Sequence, residues 1–305
     1  MSSSTQKTVL ITGCSNGSAG HALALEFASR NMRVFATARS LKSLSGLQEK
    51  GIEVLTLDVT SAESIAALKV EISSRTGGKL DMLFNNAGSM YEIPAIEADP
   101  TRVRAMFDAN VFGVFDMTSA FAPLLLAAVK DKSNPPTIIN TASVLARVPY
   151  PFSAAYNASK AAVASYTDTL RLELAPLGIK VVTLFMGVVS TNIATFDSVQ
   201  FGPDSLYVDA EAGVKNRSRE HQVSGMKPDQ FARGVVNALI GQNSRPSRNE
   251  YIWKGAQAST IWLLNAIGWR KIFDPTIEKE IGFNQEVKRL VAQRGRDAVQ
   301  RKSQA

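Results

Sequence analysis

Thr8-Val9-Leu10-Ile11-Thr12 is a short apolar, partly β-branched run; Gly13-Cys14-Ser15-Asn16-Gly17-Ser18-Ala19-Gly20 follows it, and then an apolar periodic segment, His21 to Arg30. The pattern predicts strand, glycine turn and helix. Such a turn brings backbone amides and a helix N-terminus close to a pyrophosphate, because no Cβ stands in the way. The spacing Gly13-x3-Gly17-x2-Gly20 is neither the usual dinucleotide fingerprint nor a Walker loop, which would need Gly-Lys-Ser/Thr. Outward from this turn, Arg33 to Ala38, Glu53 to Leu57, Leu80 to Phe84, Thr137 to Thr141 and Ile179 to Phe185 read as further strands separated by helices. A short strand near Tyr251 to Trp253 comes last. Strand and helix in alternation predict an α/β protein: an open, doubly wound parallel sheet of about seven strands with helices on both faces.

Ligands of such sheets lie beyond the carboxyl ends of the strands. The polar residues fall there: Asp58-Val59, Asn85-Asn86-Ala87-Gly88, Ala142-Ser143, and Gly187-Val188-Val189-Ser190-Thr191. The second strand ends at Arg39, about where a fold that prefers NAD carries an acid for the ribose 2′-hydroxyl. No acid stands at Thr37, Ala38 or Arg39, and Arg39 with Ser40 and Lys42 suits a 2′-phosphate. Cys14, with no basic or histidine partner adjacent in sequence, reads as a small filler and not a nucleophile.

The chain has 305 residues, a net charge of +7 and one cysteine, so no internal disulfide is available. Met1 to Lys7 shows no signal-peptide pattern, and an intracellular, cytoplasmic setting is expected. The positive charge is scattered, with no Lys/Arg run, which argues against nucleic acid as a partner. No metal ligand set is assigned. Asp99-Pro100 opens a long helix with an acidic N-cap. Its apolar stretch, Val111 to Val129, is interrupted by Asp116, Thr118, Ser119 and Pro123, and is expected to lie against the sheet or a partner subunit. Asn110 inside that helix is either structurally satisfied or a kink and water site. Asn192 to Gly225 has poor periodicity and reads as a substrate-facing segment or a surface excursion. No linker divides residues 1–255, and 256–305 form a C-terminal helical extension. At its start the apolar stretch Gly255 to Trp269, which begins on the last residue of the domain, is shorter than the roughly twenty residues a bilayer span needs. Trp262 and Trp269 share a helical face ahead of Arg270-Lys271, as in an interfacial helix; packing over a cleft or a subunit interface is the other reading.

Ser153-Ala154-Ala155-Tyr156-Asn157-Ala158-Ser159-Lys160 sets a phenol and an ammonium four residues apart on one helical face. An ammonium beside a phenol favours the phenolate, which makes the pair fit for proton transfer to a substrate oxygen.

Together, Thr12-Gly13-x3-Gly17, Asn85-Asn86-Ala87-Gly88, Asn110, Ser143, Tyr156-x3-Lys160 and Gly187 to Thr191 resemble the short-chain dehydrogenase/reductase family, from about residue 7 to about 255. The wording of Ile11 to Ser15, Val34 to Arg39 and Leu170 to Gly178 is most similar to its fungal branch of NADPH-dependent 1-acyldihydroxyacetone phosphate reductases. The resemblance implies a single Rossmann-type domain, NADP(H) as cofactor and a ketone as substrate. It also implies a homodimer or homotetramer, and by way of that branch a peripheral place on endoplasmic reticulum or lipid droplets. By the same resemblance Tyr156 is the general acid, Lys160 lowers its pKa and holds the nicotinamide ribose, Ser143 hydrogen-bonds the carbonyl oxygen, and Asn110 holds a water that links Lys160 to solvent. Gly13, Ser15, Asn16, Gly17, Ala19 and Gly20 would surround the phosphates, Arg39 and Ser40 the 2′-phosphate, Asp58, Val59 and Asn86 the adenosine, and Val189 and Thr191 the carboxamide. Two departures stand out: Met186 occupies a usual proline position, and Ser18-Ala19 replaces a Gly-Ile pair. A ketoreductase of fungal secondary metabolism, or a non-catalytic NADP(H)-binding regulator or scaffold, are the alternatives.

Overall fold

The computed structural model describes residues 6–130, 134–193, 199–241, 250–269 and 271–304. β1 (Thr8–Ile11) enters the glycine turn and then α1 (Ala19–Ser29), followed by β2 (Arg33–Ala38), the short α2 (Ser45–Gln48), β3 (Glu53–Thr56), α3 (Ala62–Thr76) and β4 (Met82–Asn85). α4 (Pro100–Phe107) runs through a π-helical turn, Asp108–Phe112, into α5 (Gly113–Ala128). Then come β5 (Thr137–Ser143), α6 (Ala154–Leu174), β6 (Lys180–Met186), α7 (Val208–Ser224), α8 (Pro228–Ile240) and β7 (Tyr251–Lys254), and the chain closes with α9 (Ala258–Ile267), α10 (Asp274–Glu280) and α11 (Gln285–Gln304). The seven strands are all parallel in the order β3-β2-β1-β4-β5-β6-β7. Strand order reverses between β1 and β4, and the crevice there is where such sheets bind ligands.

Alternation along the central strands builds two cores. Val9, Ile11, Phe84 and Ile139 face α1 and α8, where Leu23, Phe27, Phe231 and Val235 meet them. Leu10, Leu83 and Ile138 face the other way, against Ile65 and Leu68 of α3 and Phe121, Leu124 and Leu125 of α5. Side chains that alternate at a period of two and are buried on both faces are the signature of a covered parallel sheet. Each fully buried Phe or Leu contributes about 1.5–3 kcal/mol of hydrophobic free energy. A third cluster lies off the sheet, where Val148, Phe152, Phe201 and Val214 meet Ile261, Phe273, Ile277 and Ile281. The helical extension is therefore docked on the domain.

Local signals account for most boundaries. Ser61 caps α3 by accepting from Ser64 N, and Gly77 ends it in the left-handed region at φ 63°. Asp99 caps α4 with Pro100 in its first turn. β2 has the expected bounds, and the other strands begin or end one or two residues away from the sequence expectation. Two expectations need correction. The helix opened by Asp99 is not continuous α-helix, because the π turn inserts at Asn110. Asn192 to Gly225 is not unpatterned throughout: α7 occupies half of it, and it escaped a periodicity reading because it buries the polar residues Arg217 and Ser218 along with Ala210 and Val214. Residues 194–198 of that stretch and Arg270 lie outside the described residues.

Candidate active site

β5 ends in Ser143, whose extended backbone hands over to a single 3-10 turn, Val144–Ala146. Its Oγ accepts from Leu145 N at 3.1 Å and donates to Met186 O at 3.4 Å on the neighbouring strand. α6 carries Tyr156 and Lys160 one turn apart, both buried. Lys160 Nζ donates to Thr141 O at 2.9 Å and stands 5.8 Å from the centroid of the Tyr156 ring. The π turn carries Asn110, whose Oδ1 accepts from Ser89 N at 2.8 Å and whose Nδ2 donates to Ser89 O at 2.9 Å and Ser159 Oγ at 3.1 Å. A Cβ on Gly88 would lie 3.0 Å from Asn110 Oδ1 and 3.6 Å from Lys160 Nζ, so these two side chains converge on one point of backbone. Single π turns inside helices are frequent at functional sites, since they re-aim one residue.

Burial pushes the Tyr156 phenol up to about 12; the Ser143 hydroxyl pulls it down, and the Glu92 carboxylate pushes it further up. Tyr156 is therefore a protonated acid at neutral pH. Burial alone brings Lys160 down to about 8, because a desolvated ammonium is disfavoured. In this geometry the downward pull on the phenol comes from Ser143.

At the other end of the crevice the glycine turn forms a cradle. Gly13 and Gly17 sit at φ 74° and 76°. A Cβ on Gly13 would meet Ala87 Cα at 2.8 Å, one on Gly17 would meet Asn192 Nδ2 at 2.5 Å, and one on Gly20 would meet Gly13 O at 2.4 Å. Ser18 donates to Gly13 O at 3.0 Å and accepts from His21 N at 3.1 Å, capping α1, so this departure from the family pattern supplies a cap. Ala19 and Gly20 are the first turn of α1. Ser15 and Asn16 are tied to the segment after β2, through Ser15 Oγ to Ser43 Oγ at 3.2 Å and Asn16 N to Ser43 O at 2.9 Å. Arg39 and Ser40 are exposed at the end of β2. Asp58 Oδ1 accepts from Thr60 N at 2.9 Å and Thr60 Oγ1 at 2.7 Å, bonds that with the Arg39 charge hold its carboxyl below the ordinary range. Val59 packs at Gly113. Asn86 Nδ2 donates to Thr12 O at 2.9 Å and Gly13 O at 3.2 Å, which fixes the turn to β4. Cys14 is fully buried, with Sγ 3.3 Å from Ile11 O, and burial pushes its thiol up to about 12, the state of an inert filler.

A cleft adjoins Ser143 and Tyr156 and is also lined by Val189 and Thr191. Met186, the second departure, lines it too. Its far wall holds residues that sequence reasoning missed: Glu92, Tyr150, Arg217, His221 and Glu280, with Gln257, Ile261 and Ile277 from the extension. Glu92 carried a signal, since it lies four residues past Gly88 at the end of β4. Arg217 and Glu280 carried none, because only the docking of α7 and α10 brings them to the site.

Residues 7–199 match the family described as short chain dehydrogenase. The NADPH-dependent 1-acyldihydroxyacetone phosphate reductase of Schizosaccharomyces pombe is 43% identical over 267 residues, covering 83% of this chain and 87% of its own length. Short-chain dehydrogenase virD of Hypocrea virens is 36% identical over 280 residues, 92% of this chain and 94% of its own. Among solved structures, a short-chain dehydrogenase from Streptomyces avermitilis superposes with a TM-score of 0.71 at 25% identity, covering 92% of this chain and 100% of that one. One from Burkholderia cenocepacia in complex with NADP gives 0.67 at 28%, covering 89% and 97%. With the family match spanning most of the chain and both relatives aligned along nearly all of it, this chain is an oxidoreductase that belongs to the short chain dehydrogenase family.

Proposed function

We propose that this protein reduces a ketone to a secondary alcohol with NADPH, Tyr156 acting as general acid. The observation that supports it is the convergence of Ser143, Tyr156, Lys160 and Asn110 at the carboxyl edge of the sheet, the edge that also carries the glycine cradle. The cradle fits a dinucleotide: three positions have no room for a Cβ, and an exposed Arg39 stands where a 2′-phosphate would need a cation. NADPH, when bound, supplies the hydride. The Tyr156 hydroxyl donates its proton to the carbonyl oxygen, and the Ser143 hydroxyl donates a hydrogen bond to the same oxygen as negative charge grows there. Lys160, its ammonium desolvated, passes a proton on readily. The Asn110 side-chain amide is committed to Ser89 and Ser159, so a relay water is left to the backbone of the π turn.

The substrate is a lipid-like ketone, either acyl-dihydroxyacetone phosphate, as in the name of the Schizosaccharomyces pombe relative, or an intermediate of secondary metabolism. The protein works in the cytoplasm as a homodimer or homotetramer through the exposed Phe112, Leu126 and Leu172 of the α5 and α6 side. Trp262, Leu263, Ile267 and Trp269 are exposed on α9 and just after it, while Ile261 of the same helix faces the cleft. That outer face gives peripheral contact with endoplasmic reticulum or lipid-droplet surfaces. The test is NADPH oxidation by purified protein against acyl-dihydroxyacetone phosphate and a panel of bulky ketones. Turnover that Tyr156→Phe abolishes supports the reading. NADPH binding without turnover on any ketone favours the non-catalytic regulator instead.

A further inference from the structure

The cleft wall opposite the nicotinamide end carries a polar group that the reduction does not use. Glu92 follows β4, Tyr150 precedes α6 and Arg217 lies on α7; their residual exposures are 5%, 6% and 3%. Arg217 Nη2 is ion-paired with Glu92 Oε1, which also accepts from Ser153 Oγ at 3.1 Å, and the guanidinium stands 4.9 Å over the Tyr150 ring. Two buried atoms of this network have no hydrogen-bond partner among the described residues, Glu92 Oε2 and Arg217 Nε, while the Tyr150 hydroxyl interacts with Arg217 and Glu280. Buried polar atoms are nearly always paired, so two orphans on side chains that line the cleft mark a place where a ligand completes the pairing. They offer an acceptor and a donor, the complement of a substrate hydroxyl group, with the Tyr150 hydroxyl on the same lining.

Charge decides which oxygen function fits. The Arg217 charge is already matched by Glu92, and the next pair outward is His221 with Glu280, Nε2 to Oε1 at 2.9 Å. A phosphate or carboxylate here would add negative charge beside two carboxylates with no unmatched cation to receive it. We propose that Glu92, Tyr150 and Arg217 form a specificity subsite for a neutral hydroxyl group on the ketone substrate, and that the cleft takes hydroxylated uncharged ketones in preference to phosphate esters. The inference rests on the reductase reading of Ser143, Tyr156 and Lys160. It adds that the Glu92 carboxylate, which already acts on the Tyr156 phenol, is covered by the bound hydroxyl during turnover.

The experiment compares kcat/KM, at saturating NADPH, for benzylacetone and acetophenone, the para-hydroxy derivative of each, and the phosphate monoesters of those phenols; the two ketone lengths bracket the reach of the subsite. The full chain should favour the hydroxylated ketone over its parent by about tenfold at one length or both, the scale of one well-placed hydrogen bond, and should turn over the phosphate esters worst. Tyr150→Phe keeps the ring under the Arg217 guanidinium and removes one hydroxyl, so it should fold normally; together with Glu92→Gln it should bring the hydroxylated-to-parent ratio close to one, with the change carried by KM. A purely structural role would slow all the ketones alike and leave the ratio intact. Equal values for both members of each pair, a ratio that survives both variants, or preference for the phosphate esters overturns the subsite while the reductase reading stands. If NADPH binds and no ketone is reduced, the reductase reading fails and the subsite with it.

Discussion

At the scale of single residues, the proton donor is the sharpest test. Tyr156→Phe keeps the ring in its buried place and removes the transferable proton, so ketone reduction should fall at least about a hundredfold while NADPH titration stays near the parent value. A rate close to the parent's would take the acid role from Tyr156. Lys160 makes a second prediction, one of stability. Burial brings its pKa from 10.5 to about 8. Between those values the unfolded chain holds a proton that the folded chain has released, so this group makes stability rise with pH across the window, and below about 8 the full cost of burying the charge remains. In urea titrations of cofactor-free protein the parent should therefore gain on Lys160→Met from about pH 8 to 10.5; a constant difference would mean that the ammonium keeps its hydration. Third, Arg39→Asp should move preference towards NADH by about tenfold to a hundredfold in affinity, because a charge-assisted bond to the 2′-phosphate becomes a repulsion. An unchanged preference would locate the phosphate contact elsewhere. Tyr156 and Lys160 were legible from their spacing on one helix and Ser143 from its place at a strand end, while the roles expected of Ser143 and Asn110 came from the family resemblance. Tyr150 and Arg217 were not legible, and Glu92 offered only its place after Gly88, since a buried carboxylate and guanidinium make sense only once the three segments that carry them have met.

Elements divide along the same line. The glycine turn could be read directly, because each glycine answers a backbone demand that the structure displays. Gly13 combines φ 74° with an Ala87 Cα that would lie 2.8 Å from any added Cβ. Gly13→Ala should cost about 1–3 kcal/mol in denaturation and weaken NADPH binding, since the strained turn has to shift away from β4. Unchanged stability would mean that the turn has room. The central strands were legible too: they are covered on both faces and read as continuous apolar runs. α7 was not legible, and the reason is physical, for a helix that turns Arg217 and Ser218 inward has no apolar stripe to find. The π turn was half legible, a kink at Asn110 being one of the two readings of that buried amide. Its insertion leaves the composition of the α4 to α5 segment untouched and shows only in the hydrogen-bond register.

For the whole molecule, the docking of the C-terminal helices matters most. Ile261, Phe273, Ile277 and Ile281 cover Phe152, Phe201 and Val214, and Ile261, Ile277 and Glu280 help to wall the cleft. Truncation after Lys254 should lower the melting temperature and abolish ketone reduction, yet leave NADPH binding measurable, because the two cores on the sheet do not include those helices. Loss of binding and folding together would show that the extension belongs to the same cooperative unit. The outer face of α9 makes the companion prediction: full-length protein should sediment with anionic liposomes at low salt, and the Trp262→Ala, Trp269→Ala double variant should not. Parent protein that stays in the supernatant leaves that face for a protein neighbour. The separation of the third cluster from the two sheet cores also has an evolutionary reading. Glu92, Tyr150, Arg217 and Glu280 sit on four segments, none of them a strand of the sheet, so drift at these positions changes what is accepted without disturbing the packing that builds the cradle. A library randomised at these four positions should diverge in ketone selectivity long before it loses NADPH affinity, as a lineage could by keeping one redox engine and exchanging its feedstock.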